Sequence, residues 1–266
     1  MKKKYSDDYS IQELMAVFLS HDLKDGEIAH LGANQPIPRA AVLLAHLMHA
    51  PNMKISQSLT ISNLINEPLP QPYSEFFTDW RRARWAESYR LGHEVFSDVK
   101  RFADFFFLGA IQIDKYGNIN LIGTGNNYRQ LIFRGPGSGA SAVASTYCKR
   151  IYLISNTHQK RFFVEKCDFI SAVGWGNGGK NARKELGLPG GGPKYVLTPL
   201  CVMDFEPETK KMRLKSMHPG VELEEIIKNT GFELVIPSEL PYTEPPSIEE
   251  IEIIRTRIDL GGTLRK

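Results

Sequence analysis

The sequence predicts an α/β protein built around an open sheet that is rich in parallel strands. Residues 27–31 have the pattern of a short strand, and a turn and an apolar helix at 39–49 follow them. The apolar run at 105–108 is typical of a buried strand, and a polar stretch with glycine follows it at 109–120. Such sheets carry ligand-binding groups at the carboxyl ends of their strands. At 133–140, another predicted strand end is followed by polar residues and glycines. We therefore expect both stretches to line one site.

The other elements are expected in the following order along the chain. Apolar residues at helical spacing predict a first helix over 10–23, for which Ser10 is the expected N-cap. Three prolines make 67–72 a loop, whereas aromatic residues between 77 and 99 indicate helices. The remaining predicted elements are a strand at 53–57, a helix at 140–147, strands at 151–154 and 169–173, a hairpin of 195–205 with 212–217, a helix at 223–227, a strand at 232–236 and an amphipathic helix at 247–258.

Composition and charge exclude several classes of function. The chain has 266 residues, of which 42% are hydrophobic, and this is enough for a full core. Its net charge of +3 is small and its basic residues are dispersed, which argues against nucleic-acid binding. No apolar run approaches the ~20 residues that cross a bilayer. Cys148, Cys167 and Cys201 lie far apart, as reduced thiols do in intracellular proteins. We therefore expect a cytoplasmic protein that contacts no membrane.

The glycine loop at 135–139 lies between a predicted strand and a predicted helix. Successive backbone amides in such a loop can bind a phosphate or a carbonyl oxygen that acquires negative charge. A plain tight turn is the second interpretation. Dinucleotide binding is the third, but residues 137–142 match only G-x-G-x-x-A and no acidic residue follows at the required spacing.

Three other sequence patterns give little support for a catalytic or metal-binding site. Residues 174–180 match the G-x4-G-K core of a phosphate-binding loop, but Asn181 stands where Mg²⁺ needs a serine or threonine. A loop that closes over a ligand is the preferred interpretation of 174–193. His46 and His49 share a helix face without a third metal ligand, and there is no G-x-S-x-G motif for a serine hydrolase.

Several of these segments together resemble the β subunit of the family I CoA-transferases, most closely the glutaconate type. Their order and spacing match over nearly the whole chain. The matching pieces are 109–120, 135–139, 158–162 (HQKRF), 184–190 (KELGLPG), 218–220 (HPG), 229–232 (NTGF) and Ile258-Asp259. The resemblance implies a single domain over 1–266 with an open three-layer α/β/α sheet. It also implies a homologous α subunit, in an α2β2 assembly, with the active site where the subunits meet.

In this family a β-subunit glutamate attacks the acyl-CoA carbonyl and then carries CoA as a thioester. The corresponding position here is Ser58, and no aspartate or glutamate occurs between Pro51 and Asn66. A hydroxyl without an adjacent base is a weak nucleophile. Two branches that resemble this family also lack the glutamate: steroid ring-opening CoA hydrolases and a decarboxylase that acts on methylglutaconyl-CoA.

The resemblance gives roles to particular residues and leaves the reaction open. Ser58, beside Gln57, would face the reacting carbonyl. Arg134 would bind the thioester or a substrate carboxylate, because guanidinium pairs with carboxylates bidentately. The pocket and loop residues are Gln112, Asp114, Asn118, Gly135, Gly137, Ser138 and Gly139. Coenzyme A enters as part of a dicarboxylic or cyclic-keto acyl-CoA, without a permanent cofactor or metal.

The expected chemistry is C–C hydrolysis or ring opening. The alternatives are true CoA transfer, decarboxylation, a scaffold subunit without catalytic residues, and a ligand sensor. A sensor would need a DNA-binding module, and the sequence contains no sign of one.

Overall fold

The computed structural model describes residues 4–32, 35–57, 60–62, 88–89 and 103–266. It confirms the predicted α/β class. The chain divides into two compact units, one formed by 1–104 with 244–266 and the other by 105–243. The single-domain interpretation stays a prediction. No helix in the described part of the chain is long and apolar enough to span a bilayer.

The first unit places two helices beside four short strands. Helix α1 (Ile11–Asp22) begins with a capping box, because Ser10 and Glu13 each accept a hydrogen bond from the other's backbone amide. Helix α2 (Pro36–Met48) begins three residues earlier than predicted, since proline is favourable in the first turn. Strand β1 (Ile28–His30) pairs in parallel with β2 (Lys54–Gln57), and β3 (Thr60–Ser62) and β4 (Ser88–Tyr89) continue in antiparallel order.

The second unit contains most of the sheet. Its strands are β5 (Phe105–Leu108), β6 (Gln112–Asp114), β7 (Ile119–Asn120), β8 (Gly123–Thr124), β9 (Phe133–Arg134), β10 (Arg150–Ile154), β11 (Phe163–Val164), β12 (Pro193–Leu197), β13 (Cys201–Phe205) and β14 (Met212–Met217). Strands β5, β10 and β12 run parallel, and β13 and β14 complete this part of the sheet in antiparallel order. Strands β11, β6 and β7 form a small second sheet, and β8 pairs with β9.

The helices of the second unit are short: α3 (Ser141–Tyr147), α4 (Ala182–Glu185) and α5 (Leu223–Asn229). The chain then returns to the first unit with α6 (Ile248–Ile253), a wider π-helical turn (Ile254–Ile258) and a final 3-10 turn (Thr263–Arg265). Ser247 and Glu250 form a second capping box at the start of α6. Aromatic packing between neighbouring strands defines the core, where the Phe107 ring stacks on Tyr152 at a centroid distance of 5.3 Å.

Two predicted strands are wrong and one is divided. In 169–173, Ala172 makes a single bridge to Ile119, because the two-residue β7 offers too few partners for a longer ladder. In 232–236, Val235 makes a single bridge to Arg213. The predicted strand 195–205 breaks at Thr198, whose hydroxyl accepts the Leu200 and Cys201 amides and turns the chain. The predicted loop 67–72 lies outside the described residues, as does 77–99 except for β4.

Two histidines are buried in hydrogen-bonded sites of the second unit. His158 lies between the Thr198 and Thr230 hydroxyls at 2.9 and 3.0 Å and stacks on Phe163. His218 contacts the Thr243 hydroxyl and the Thr198 carbonyl oxygen, each at 2.9 Å. Burial lowers the pKa of both imidazoles to about 4. His158 is the first residue of the HQKRF segment and His218 is the first residue of the HPG segment. Both segments therefore contribute buried hydrogen bonds to the core.

We expect stability to fall as the pH decreases from 6.5 to 4. In this window the unfolded chain binds protons on His158 and His218 while the folded chain does not, so each imidazole costs up to ~3 kcal/mol at the acid end. Urea unfolding at pH 7, 6 and 5 measures the slope. The His218→Gln variant should have a shallower slope between pH 6.5 and 5. A slope equal to that of the wild type would contradict the buried neutral state of His218.

Candidate functional site

The polar stretch after β5 forms a tight hairpin. Strand β6 turns back into the antiparallel β7 through residues 115–118, and Gly117 takes a left-handed φ of 70° in the turn. The Asp114 carboxylate closes this turn: one oxygen accepts the Tyr116 and Asn118 amides at 2.9 and 3.1 Å, and the other accepts the Asn118 side-chain NH2 at 2.8 Å. Burial raises the pKa of Asp114 in spite of these hydrogen bonds.

Asn118 connects the hairpin to the glycine-rich segment that starts at Gly174. Its side-chain oxygen accepts the Gly174 amide at 2.9 Å, and its NH2 group donates to the Gly176 carbonyl oxygen at 2.8 Å. Asp114 and Asn118 are both almost completely buried. Their described hydrogen bonds therefore fix the β6–β7 turn and the start of the glycine-rich segment. A direct contact of Asp114 or Asn118 with a ligand stays a prediction.

Gln112 connects the hairpin to a second segment. Its side-chain oxygen accepts the Asn120 NH2 group at 2.7 Å and the Asp168 amide at 3.0 Å. Asn120 is fully buried; its NH2 group also donates to the Gly123 carbonyl oxygen, and its own oxygen accepts the Ile122 amide. Asn120 is the site residue that the sequence analysis left without a role, although it closes the stretch singled out there.

Arg134 lies at the end of the β8–β9 hairpin and its side chain is exposed. Its guanidinium carbon is 5.7 Å from the centre of the Tyr128 ring, a cation–π distance. In the described part of the chain it makes no ion pair with a carboxylate. A carboxylate or another anion from solution can therefore reach it.

The glycine loop follows Arg134 directly and differs in part from the predicted anion loop. The Gly135 and Gly137 amides donate to the Ile122 and Leu121 carbonyl oxygens at 2.8 and 2.9 Å, so these two do not face a ligand. The Ser138 carbonyl oxygen accepts the Ser141 amide, and helix α3 follows. Gly137 and Gly139 have positive φ values, which favour glycine.

The far end of this loop retains unused polar groups. Within the described residues, the amides of Ser138, Gly139 and Ala140 donate to no backbone carbonyl oxygen. Ser141 is only 2% exposed, and its hydroxyl is buried without a hydrogen-bond partner in the described structure. Buried polar groups are normally hydrogen-bonded. This end of the loop is therefore where a ligand oxygen would find donors.

The glycine-rich segment 174–193 is held by several hydrogen bonds in this structure, and its closing over a ligand stays a prediction. Arg183 donates to the carbonyl oxygens of Gly190, Gly174 and Val173 at 2.8, 2.8 and 3.2 Å, and also to that of Ser145. Burial lowers the pKa of Arg183 to about 10. Lys180, the lysine of the phosphate-loop pattern, pairs with Glu208. That this pattern binds no nucleotide stays a prediction.

Gln57 and Ser58 stand at the position of the family's glutamate. Gln57 is the last residue of β2 and pairs through its backbone with Thr60. Ser58 lies outside the described residues. Among the described residues, no group of three His, Cys, Asp or Glu side chains could hold a metal ion. Cys148, Cys167 and Cys201 are buried free thiols, and burial raises the pKa of Cys201 to about 12.

A model of the coenzyme A transferase family matches residues 12–229, which include the whole hairpin and the glycine loop. This chain belongs to the coenzyme A transferase family. The resemblance inferred from the sequence is thereby confirmed, and CoA is the group that this enzyme family handles.

Two relatives align with this chain over almost its full length. One is the β subunit of the 3-oxoadipate CoA-transferase of Pseudomonas knackmussii, 34% identical over 93% of this chain and 92% of that protein. The other is the β subunit of the glutaconate CoA-transferase of Acidaminococcus fermentans, 30% identical over 96% and 94%. The IpdB chain of the cholesterol ring-cleaving hydrolase of Rhodococcus jostii is 29% identical over 57% of this chain and 58% of its own length.

Two solved structures share the fold of this chain. The glutaconate coenzyme A-transferase of Acidaminococcus fermentans superimposes with a TM-score of 0.81 at 27% identity, covering 99% of both chains. The decarboxylase AibA/AibB superimposes with a TM-score of 0.80 over 97% of this chain and 98% of its own. At 20% identity, this second likeness concerns the fold alone.

Proposed function

We propose that this chain is the β subunit of a heteromeric enzyme that acts on an acyl-CoA without forming a glutamyl thioester on this subunit. The single observation that carries the proposal is Ser58, at the position where the transferases of the family use glutamate. No aspartate or glutamate occurs between Pro51 and Asn66 that could replace this glutamate. The unmet donors from Ser138 to Ser141 support the binding half of the proposal.

The proposed reaction is hydrolysis of a C–C bond, with or without ring opening, in a dicarboxylic or cyclic-keto acyl-CoA. The Ser138–Ser141 end of the glycine loop would polarise the thioester or keto carbonyl, because amide donors stabilise an oxygen that gains negative charge. Arg134 would bind the substrate carboxylate, since it is exposed and has no acidic partner in the described structure. Water would then occupy the space that the glutamate leaves.

The pocket would be shaped by Gln112, Asp114 and Asn118. Their hydrogen bonds would hold Asp168 and residues 174–176 in place. Ser58 and Gln57 would lie beside the reacting carbonyl. A homologous α subunit would contribute the remaining groups, in a cytoplasmic assembly that keeps no cofactor or metal bound. The three buried thiols are consistent with a reducing compartment. The whole chain, 1–266, would act as one domain of this assembly.

True CoA transfer is the second candidate. The observation in its favour is that both relatives aligned over more than nine tenths of this chain are transferase subunits, whereas the hydrolase chain aligns over 57%. The transferase route would need a nucleophile other than a glutamate at position 58. Glu67 is the next carboxylate in the sequence after that position.

The test incubates the co-purified subunit pair with 3-oxoadipyl-CoA, glutaconyl-CoA and cyclic-keto acyl-CoAs, with and without acetate. We expect consumption of one of these thioesters at a rate that does not depend on acetate, and no borohydride-reducible thioester on this chain. Acetate-dependent exchange together with a trapped thioester on this chain would establish the transferase instead.

The same assay distinguishes an enzyme from a scaffold. With Arg134→Ala we expect KM for a substrate with a free carboxylate to rise at least ~10-fold, because a charge-assisted pair is lost. Arg161→Ala, which removes an exposed guanidinium elsewhere in the same unit, is the matched control. Equal KM values for both variants would support the scaffold interpretation.

A further inference from the structure

The β8–β9 hairpin presents an unusual apolar surface to solvent. Tyr128, Ile132 and Phe133 are 57%, 87% and 55% exposed, and the neighbouring Ile170 is 48% exposed. We call these four side chains the hairpin face. Single exposed apolar residues are common, but several on one hairpin and on the segment packed against it, with aromatic rings among them, indicate a site of interaction.

The hairpin face is held in a fixed conformation. Asp168 accepts the Gly125 amide at 2.8 Å, and Ile132 donates to the Thr124 carbonyl oxygen at 2.9 Å. The Phe169 ring contacts the edge of Tyr128 at a centroid distance of 6.2 Å, which brings the segment before Ile170 against the hairpin. A surface that is already ordered loses little entropy when a partner binds to it.

The charge around the hairpin face is mostly positive, although the Asp168 carboxylate also contacts the hairpin through the Gly125 amide. Residues 115–164 contain no aspartate or glutamate, but seven lysines and arginines. Two of these, Arg129 and Arg134, lie on the hairpin itself and are exposed. Arginine and aromatic residues are also the ones that dominate binding energy in protein interfaces. A partner surface that complements the hairpin face would thus be apolar in its centre and carry carboxylates at its margin.

The hairpin face continues directly into the candidate site. Arg134 ends β9, and Gly135 begins the glycine loop with its amide bound to the Ile122 carbonyl oxygen. A protein that covers the hairpin face would therefore border the loop that holds the unmet donors.

We propose that the hairpin face is the docking surface for the partner subunit, which meets it with an apolar patch flanked by carboxylates. The inference rests on the proposed function, since that function supplies a homologous partner. Docking there places the partner's acidic residues next to Arg129 and leaves Arg134, at the start of the glycine loop, for the substrate carboxylate. The arginines of the hairpin favour the encounter of the two subunits through charge.

The experiment measures assembly of the subunit pair that co-purifies with tagged wild-type chain, after mass spectrometry has identified the second chain as a homologous subunit. Ile132→Asp puts a carboxylate in the centre of the hairpin face. Ile227→Asp changes an isoleucine that is 48% exposed on α5, outside the face, and is the matched control. Thermal unfolding of each variant chain reports its fold, which we expect to be intact because Ile132 is almost fully exposed.

We expect Ile132→Asp to weaken subunit association at least 100-fold in sedimentation experiments, and Ile227→Asp to leave it within two-fold. Arg129→Glu should weaken association less, and the difference from the wild type should shrink at high salt. Normal assembly of the Ile132→Asp variant would overturn the docking surface and leave the proposed function standing. Capture of no homologous subunit by the wild type would overturn the proposed function itself. If the wild-type chain alone forms a dimer that Ile132→Asp abolishes, the face binds a second copy and the docking proposal is wrong.

Discussion

Replacement of Arg183 by methionine is expected to destabilise the protein by ~3–5 kcal/mol. The guanidinium is 5% exposed and donates to four backbone carbonyl oxygens that come from three separate stretches of chain, near Ser145, Gly174 and Gly190. Methionine fills much of the same space without a single donor. Four backbone carbonyl oxygens then lose a hydrogen bond, three of them on buried residues, and unmade hydrogen bonds of this kind are costly.

Thermal and urea unfolding measure this effect, and a decrease in Tm of ~10 °C is expected for a chain of this size. Lys184→Met is the matched control, since Lys184 is the exposed neighbour of Arg183 on α4. Arg183→Lys should recover only a minor part of the loss, because an ammonium group cannot reach three chain segments at once. A Tm within 2 °C of the wild type for Arg183→Met would mean that segment 174–193 does not depend on this side chain.

The Gly135→Ala substitution is expected to reduce turnover of the assembled enzyme about 100-fold, given the proposed function. An added Cβ at Gly135 would lie closer than 3.0 Å to the Leu121 carbonyl group, which is backbone and cannot rotate away. The strand end must then separate from residues 121–122. The Gly135 and Gly137 hydrogen bonds that fix the glycine loop would be lost with it.

A shift of ~1 Å in catalytic donors can cost two orders of magnitude in rate. The loss should appear mainly in kcat, because Ser138–Ser141 would act on the reacting carbonyl. Gly261→Ala is the control, as its added Cβ meets no atom within 4 Å and the residue lies in the C-terminal segment. If Gly135→Ala retained full kcat at unchanged stability, the glycine loop would have no part in the chemistry.

The elements that were predictable from sequence are those with local causes. Ser10 and Glu13 define the start of α1 through contacts three residues apart, and the run at 105–108 needs only its own apolar character to be a buried strand. The predicted strands at 169–173 and 232–236 failed because a strand also needs a partner of matching length. The length of that partner depends on distant parts of the chain.

The same distinction applies to the candidate site. The absence of a carboxylate at Ser58 is a matter of residue identity and needs no structure. The roles of Gln112 and Asn118 were not predictable in detail, because their partners at Asp168 and Gly174 are about 56 residues away in sequence. Side-chain amides bind whichever backbone groups the fold brings to them.

The shared oxygen of Gln112 has a consequence for local motion. It accepts one hydrogen bond from Asn120 and one from Asp168, so the opening of either the hairpin or segment 168–174 removes a bond from the same oxygen and weakens the support of the other. Native-state hydrogen exchange should therefore find the amides of Asp168, Gly174 and Gly135 opening together, as a single cooperative unit. In such a unit, any ligand that orders one segment slows the exchange of all of them, and occupancy can be followed at amides that never touch the ligand.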